Sequence, residues 1–329
     1  MKKLIKVAII PLTMFALASC VMPGGGGGGG GESSSSSSSP KSQTHYSDGE
    51  VSDTFNGYYD LSKYDLNGTR SVYLQAEINK LLWDTTTKFV KYADFAKYIK
   101  PNASLNNGVS IDQVSATNLH NQFFYTGKEV EFSTSMTREH VWPCAKSGGL
   151  WTHNKSDGVY YVDGANYAGG GSDLYHVRPC RGDINTLRGS SRFKEFSEEE
   201  KAIAYKGNDG GPYVLLADAD GEFANYSEPA DEFKGDIARI LVYVYIHYSK
   251  IGNYWQEKGW NNYVTGLNLQ DVMGYDNQKD VRETLARWNA IDPVSETEKL
   301  RNDTVQKIQG NRNPFVDYPH LLAKCLNVD

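Results

Sequence analysis

Two short strings carry residue types that could do chemistry together. Arg138 to Pro143 reads REHVWP and sets a carboxylate, Glu139, beside an imidazole, His140. Asp173 to Gly189 reads DLYHVRPCRGDINTLRG and brings a carboxamide, Asn185, amid Arg178, Arg181 and Arg188. An imidazole titrates near neutrality and can take a proton from water. Carboxylates and carboxamides are oxygen ligands of the kind hard divalent ions such as Mg²⁺ accept, and two of them leave room for waters and phosphate oxygens. Arginines neutralise phosphate. A base, a hard-metal site and phosphate-binding cations together suit the attack of water on a phosphodiester.

Placing that set requires particular backbone. Adjacent residues of a regular strand point to opposite faces, so Glu139 and His140 share one site only if the chain bends there or at a strand end. Local irregularity is therefore expected at that dipeptide. His176, in DLYHVRP, is expected to pack or to orient a neighbour rather than to ligate, and Asp173 to orient a neighbour or cap a turn. A zinc site on His140 and His176 is disfavoured, since neither HExxH nor paired CxxC spacing occurs.

Around the strings, residues 70 to 100 hold apolar positions at helical spacing (Val72, Leu74, Ile78, Leu81, Leu82, Phe89, Tyr92, Phe95, Tyr98, Ile99). They predict two helices broken at Asp84 to Thr87 and ended by Pro101. Gly148 to Gly171 reads as a loop joining the strings. In Phe233 to Ile251, Ile237, Ile240, Leu241, Val244 and Tyr248 form one apolar stripe, with His247 beside it as a packed or surface residue. Ser295 to Glu298 is a capping box opening a helix through Ile308, stopped by Gly310 and Pro314. Asn311, Arg312 and Asn313 read as a structural closing loop, with contact to phosphate as the other reading. No repeat or second linker follows residue 50, so one large α+β domain is the simplest organisation for residues 51–329.

The start of the chain is of another kind. Lys2, Lys3 and Lys6 precede an apolar stretch from Val7 to Ala18 that ends in Leu17-Ala18-Ser19-Cys20, the pattern of a signal peptide over residues 1–19. Leu-Ala-Ser-Cys also resembles the lipobox of bacterial lipoproteins, which implies cleavage before Cys20 and a lipid on it. Gly24 to Gly31 and Ser33 to Ser39 follow, a composition that buries no apolar surface, so residues 20–50 read as a disordered tether. About thirty such residues reach roughly 30 Å. Membrane attachment is expected through Cys20 alone, and localisation at the cell surface or elsewhere outside the cytoplasm.

Charge restricts the partners. The whole chain carries −6, and when Lys2, Lys3 and Lys6 leave with the signal, its 34 Lys and Arg fall to 31 against 40 Asp and Glu, or −9. Such a protein is no general polyanion binder, but phosphate neutralisation is local, and Arg178 to Lys194 holds five basic residues and one acid, Asp183. Of the cysteines, Cys20 goes to lipid, leaving Cys144, Cys180 and Cys325. A Cys144–Cys180 disulfide is geometrically open if the two strings pair as strands, with free buried thiols as the other reading.

Taken together, REHVWP, DLYHVRPCRGDINTLRG, KGDIARILVYVY, WNAIDPVSETEKLRND and QGNRNPFVDYP resemble, in order, the blocks of the bacterial endonuclease I family. These are secreted or periplasmic nucleases of the His-Me finger (ββα-metal) superfamily, and the resemblance spans about residues 55 to 320. It implies a His-Me finger with a mostly helical body and His140 as general base. Glu139 and Asn185 would hold Mg²⁺, or Mn²⁺ or Ca²⁺, and cleavage would be largely sequence-independent, leaving 5′-phosphates on DNA and in some members RNA. The arginine that stabilises the transition state in some members lies between the two strings, where this chain has no arginine from Val141 to Val177. On chemical grounds Arg178 and Arg188 take that place. The alternative is a lipoprotein on the same fold that captures nucleic acid without cutting it.

Overall fold

A computed structural model describes residues 50–52, 55–68, 71–99, 110–114, 120–131, 136–143, 170–216, 225–249 and 267–328. The signal and tether, Cys20, Pro101, Cys144 and most of the Gly148–Gly171 loop lie outside the described residues.

The chain opens with helix α1 (Ser71–Thr85) and a short α2 (Phe95–Ile99), then strands β1 (Asn121–Gln122), β2 (Glu129–Val130), β3 (Thr137–His140) and β4 (Val177–Cys180), and helix α3 (Gly182–Arg188). Next come β5 (Arg192–Phe193), α4 (Glu198–Ile203), β6 (Tyr205–Lys206), β7 (Tyr213–Leu215) and β8 (Tyr226–Glu228). The C-terminal part is helical: α5 (Lys234–Tyr248), α6 (Gln278–Ile291), α7 (Glu296–Gln309), α8 (Pro314–Asp317) and α9 (His320–Leu326). The strands make two antiparallel pairs, β1-β2 and β3-β4, and a four-stranded sheet ordered β5-β8-β7-β6, whose β5-β8 pair is parallel. Small sheets beside a larger helical part match the α+β expectation. Among the described residues no helix is long and apolar enough to cross a membrane.

Helix α1 turns Leu74, Ile78, Leu81 and Leu82 inward and leaves Val72 and Tyr73 exposed. It ends where the polar run predicted, because the Thr85 and Thr86 hydroxyls bond back to the carbonyls of Leu81 and Leu82, each at 2.7 Å. Helix α5 departs from the single stripe read in the sequence: every residue but Tyr245 is buried. It is enclosed by α1, α6 and α8. A helix apolar on most of its circumference belongs inside a core, and its polar residues are satisfied internally. Arg239 sets its guanidinium against both oxygens of Glu298 at 2.7 Å. Glu298 closes the capping box with Ser295 at the start of α7, whose end at Gly310 has φ 91°. A Cβ on Gly310 would lie 2.4 Å from the Thr85 carbonyl, so both the left-handed turn and the close approach to α1 require glycine.

His247 is fully buried, with Nδ1 2.9 Å from the Tyr243 hydroxyl. That hydroxyl and the Tyr248 hydroxyl donate to Asp173 at 2.8 and 2.6 Å, and Gln309 and the Tyr175 amide complete the carboxylate's shell. Burial pushes the His247 imidazole down to about 3. Its folded pKa thus lies below the unfolded value near 6.5, so its contribution is whole above pH 6.5 and is lost as pH falls toward 3. The unfolded chain takes a proton there that the folded chain refuses, at up to about 1.4 kcal/mol per pH unit. Urea unfolding at pH 7 and pH 5 is expected to show a smaller pH dependence in His247→Gln than in the wild type. Equal dependence in the two proteins would remove His247 as the cause.

Candidate active site

Strands β3 and β4 pair one to one, Thr137 with Cys180, Arg138 with Pro179, Glu139 with Arg178 and His140 with Val177. Pro179 has no N–H, so the Arg138–Pro179 pair is a non-hydrogen-bonded one, and Arg138 and His140 direct their backbone groups to the free edge of β3. Helix α3 lies along that edge and satisfies it with side chains. Asn185 Nδ2 donates to the Arg138 carbonyl at 3.1 Å and to Thr137 Oγ1 at 3.0 Å. Arg188 donates to the carbonyls of His140 at 3.1 Å and Val141 at 2.7 Å. Strand, strand and helix are thus one unit, closed by two side chains of the second string upon the backbone of the first.

The irregularity expected at Glu139-His140 is absent. The register is regular and the two side chains alternate, Glu139 toward Arg188 and Tyr125, His140 toward Tyr92 and the Gly170–Ser172 turn. His140 is the last residue of β3, at the strand end.

Glu139 is 1% exposed. Its Oε1 accepts the Tyr125 hydroxyl at 2.6 Å and lies 3.1 Å from Arg188 Nη1. Burial raises the carboxyl above its ordinary range, while Arg188 and Tyr125 pull it down. Oε2 takes no bond from the described residues. The same holds for Asn185 Oδ1, since both of the amide's side-chain bonds are donated by Nδ2. Two oxygen acceptors without a partner among the described residues, one on the strand and one on the helix that braces it, are of the donor type a hard divalent ion takes.

His140 is half-buried. Its Nε2 lies 2.9 Å from the Gly171 carbonyl, which only an N–H on that nitrogen can satisfy. The lone pair of the neutral ring is then on Nδ1. Burial and the nearby His176 push the imidazole down to about 3, so it is neutral at pH 7. His176 fills the structural role expected of it: Nδ1–H donates to the Gly170 carbonyl at 2.8 Å and Nε2 accepts the Trp142 amide at 2.9 Å, so both nitrogens are committed to backbone.

Both arginines expected to meet phosphate are enclosed. Arg188, 1% exposed, is turned to Glu139 and the carbonyls already named. Arg178, 5% exposed, has Nε 3.3 Å from Asp112 and stacks on Phe124. Asp112 in turn pairs with Arg301 of α7, which also donates to the Val177 carbonyl at 2.8 Å and so fastens β4 to the helical body. Asn311, Arg312 and Asn313 are buried, Arg312 clamped on Asp317 and Asn313 capping α8, as a closing loop should be. Cys180 is a free, buried thiol, so it does not form the disulfide left open above; Cys144 lies outside the described residues. Sequence reasoning missed Tyr125, Tyr92 and Arg138. Only Arg138 had a signal, being two residues before His140 on one strand and therefore on its face.

A regular strand pair and a bracing helix carry an imidazole, a carboxylate and a carboxamide, so the α+β domain has its candidate site on these three elements. The chain belongs to the Endonuclease I family, which matches residues 66–320. Over 188 residues it is 33% identical to the extracellular ribonuclease of Bacillus subtilis (strain 168), covering 55% of this chain and 51% of that one. It is 34% identical over 185 residues to the extracellular ribonuclease of Bacillus amyloliquefaciens, covering 55% and 50%. With the extracellular deoxyribonuclease of Aeromonas hydrophila it shares 24% over 203 residues, covering 59% and 70%. The chain spans about half the length of the two Bacillus relatives it matches.

Proposed function

We propose that this protein is a metal-dependent, largely sequence-non-specific endonuclease of the His-Me finger type that hydrolyses DNA, and RNA as well, to 5′-phosphate products. The observation that carries this is the bonding of the Asn185 amide to Thr137 and Arg138, which joins a carboxamide to the strand bearing Glu139 and His140 across 48 and 47 residues of sequence. Family membership supports a nuclease reading, and the names of the Bacillus and Aeromonas relatives support both substrates and an extracellular setting.

Glu139 Oε2 and Asn185 Oδ1 would hold Mg²⁺, or Mn²⁺ or Ca²⁺, with waters and phosphate oxygens as its other ligands. When bound, such an ion supplies charge for the phosphoryl and departing oxygens. His140 Nδ1 takes the proton of the attacking water, with the ring held by Gly171. Arg188 lies against Glu139 and opposes the rise that burial imposes on its carboxyl, and Arg178 helps hold β4 in place. Residues 1–19 serve as signal, Cys20 as lipid anchor and residues 20–50 as tether; a Cys20→Ala protein that stays with the membrane fraction would remove the anchor from this reading.

The test is cleavage of covalently closed circular DNA, and of a single-stranded RNA, by the purified protein. Nicking and linearisation are expected with Mg²⁺, to stop with chelator and to return when Mg²⁺ is restored. A circle that is bound yet intact with Mg²⁺, Mn²⁺ and Ca²⁺ would replace catalysis by nucleic-acid capture on the same fold.

A further inference from the structure

Arg138 differs from the other arginines of the two strings. Arg178 faces Asp112, Arg181 faces Asp183 and Asp209, and Arg188 faces Glu139. The Arg138 side chain makes no hydrogen bond or ion pair with any described residue. It is nonetheless half-buried and held, its guanidinium stacked 4.3 Å from the centre of the Tyr92 ring. Tyr92 also stacks against His140, ring centres 5.8 Å apart and planes 26° from parallel. Arg138 and His140 share one face of β3, about 6.5 Å apart along the strand at 3.2–3.4 Å per residue. The Arg138 carbonyl is the atom that Asn185 grips, so backbone and side chain of this residue are both fixed beside the site. An arginine carries five N–H donors in a planar fork suited to phosphate. Here they are held beside His140, in a protein of net negative charge, and turned to no carboxylate among the described residues.

We propose that Arg138 is a catalytic residue: its guanidinium binds the scissile phosphate and stabilises the negative charge that builds there, with Tyr92 as the platform that aims it. This rests on the reading of His140 as the base. In the step it serves, the water oxygen bonds to phosphorus and the phosphorus–O3′ bond breaks. His140 takes the water proton, and the departing O3′ takes one from solvent, leaving a 5′-phosphate and a 3′-hydroxyl. The role expected from sequence for Arg178 and Arg188 passes to a residue already inside REHVWP.

The test uses the full chain with Mg²⁺ and compares Arg138→Gln and Arg138→Lys with His140→Ala. Loss of one preorganised donor to a developing oxyanion lowers kcat by about 10²–10³-fold. That fall is expected in Arg138→Gln at an unchanged melting temperature, with a smaller fall in Arg138→Lys, which keeps charge but not the fork. In the non-cutting His140→Ala background, Arg138→Gln is expected to reduce the slope of log affinity against log salt by about 0.9, the loss of one phosphate contact. Wild-type kcat in Arg138→Gln, with His140→Ala inactive, overturns this proposal and leaves the base assignment standing. Wild-type cleavage by His140→Ala overturns the base assignment, and this proposal with it. Should Arg138→Gln fail to fold, Arg138→Lys decides: reduced kcat at an unchanged melting temperature supports the proposal, and wild-type kcat overturns it.

Discussion

Replacing His140 with alanine is expected to lower kcat on circular DNA by about 10³-fold, within the 10²–10⁴ range that positioned general bases contribute. The fold should persist with a lowered melting temperature, because the ring is half-buried and its bond to the carbonyl of buried Gly171 is lost, at a cost of about 1–3 kcal/mol. Binding of nucleic acid should persist, since Glu139, Asn185 and Arg138 are untouched. His140→Gln tests the same point with shape nearly retained: its amide can keep a bond to Gly171 but cannot serve as a base at neutral pH. A glutamine protein that cuts at the wild-type rate would show that His140 only braces the turn. Comparing kcat and circular dichroism for the two variants distinguishes the roles.

Glu139→Ala is expected to damage folding and activity together. The carboxylate and Arg188 form a pair with both side chains almost fully enclosed. Removing one partner of a buried pair leaves the other charged and uncompensated, at a cost of about 3–5 kcal/mol. At 2–4 °C per kcal/mol for a chain of this size class, the melting temperature should fall by about 10 °C. Glu139→Ala combined with Arg188→Met removes both charges and should recover much of that stability, because a well-packed apolar pair often replaces a buried ion pair without loss. Activity should not return, since the proposed metal ligand is still missing. Recovery of both would make Glu139 a structural residue only. Recovery of neither would point to the Tyr125 bond and the carbonyl bonds of Arg188 as the larger contributions.

Much of this molecule was legible because its signals are local. Helix α1 and the capping box of α7 follow from side-chain spacing and from hydroxyls that reach their own backbone. The grouping of Glu139, His140 and Asn185 was legible as chemistry, since their types are few and suit one reaction. Less was legible where a residue's surroundings come from far along the chain. The stripe on α5 was read as the one face by which a helix packs on a core, but α1, α6 and α8 enclose the helix and pair its arginine and aspartate inside. The bend expected at Glu139-His140 followed from requiring both residues to face one way. The structure instead ends a regular strand at His140 and lays α3 across its free edge.

The arginines mark the division most clearly. Sequence by itself determined that guanidinium groups stand near an imidazole, a carboxylate and a carboxamide in the chain, because residue type and spacing are local properties. It could not determine which guanidinium stays available to a substrate, because availability depends on whether a carboxylate arrives from elsewhere. Asp112 comes to Arg178 and Glu139 to Arg188 only once β1, β3, β4, α3 and α7 have packed. Burial makes those pairings obligatory, since an enclosed charge without a partner costs several kcal/mol. Among the described residues Arg138 receives a tyrosine ring and no carboxylate, and that contrast exists only in the folded chain.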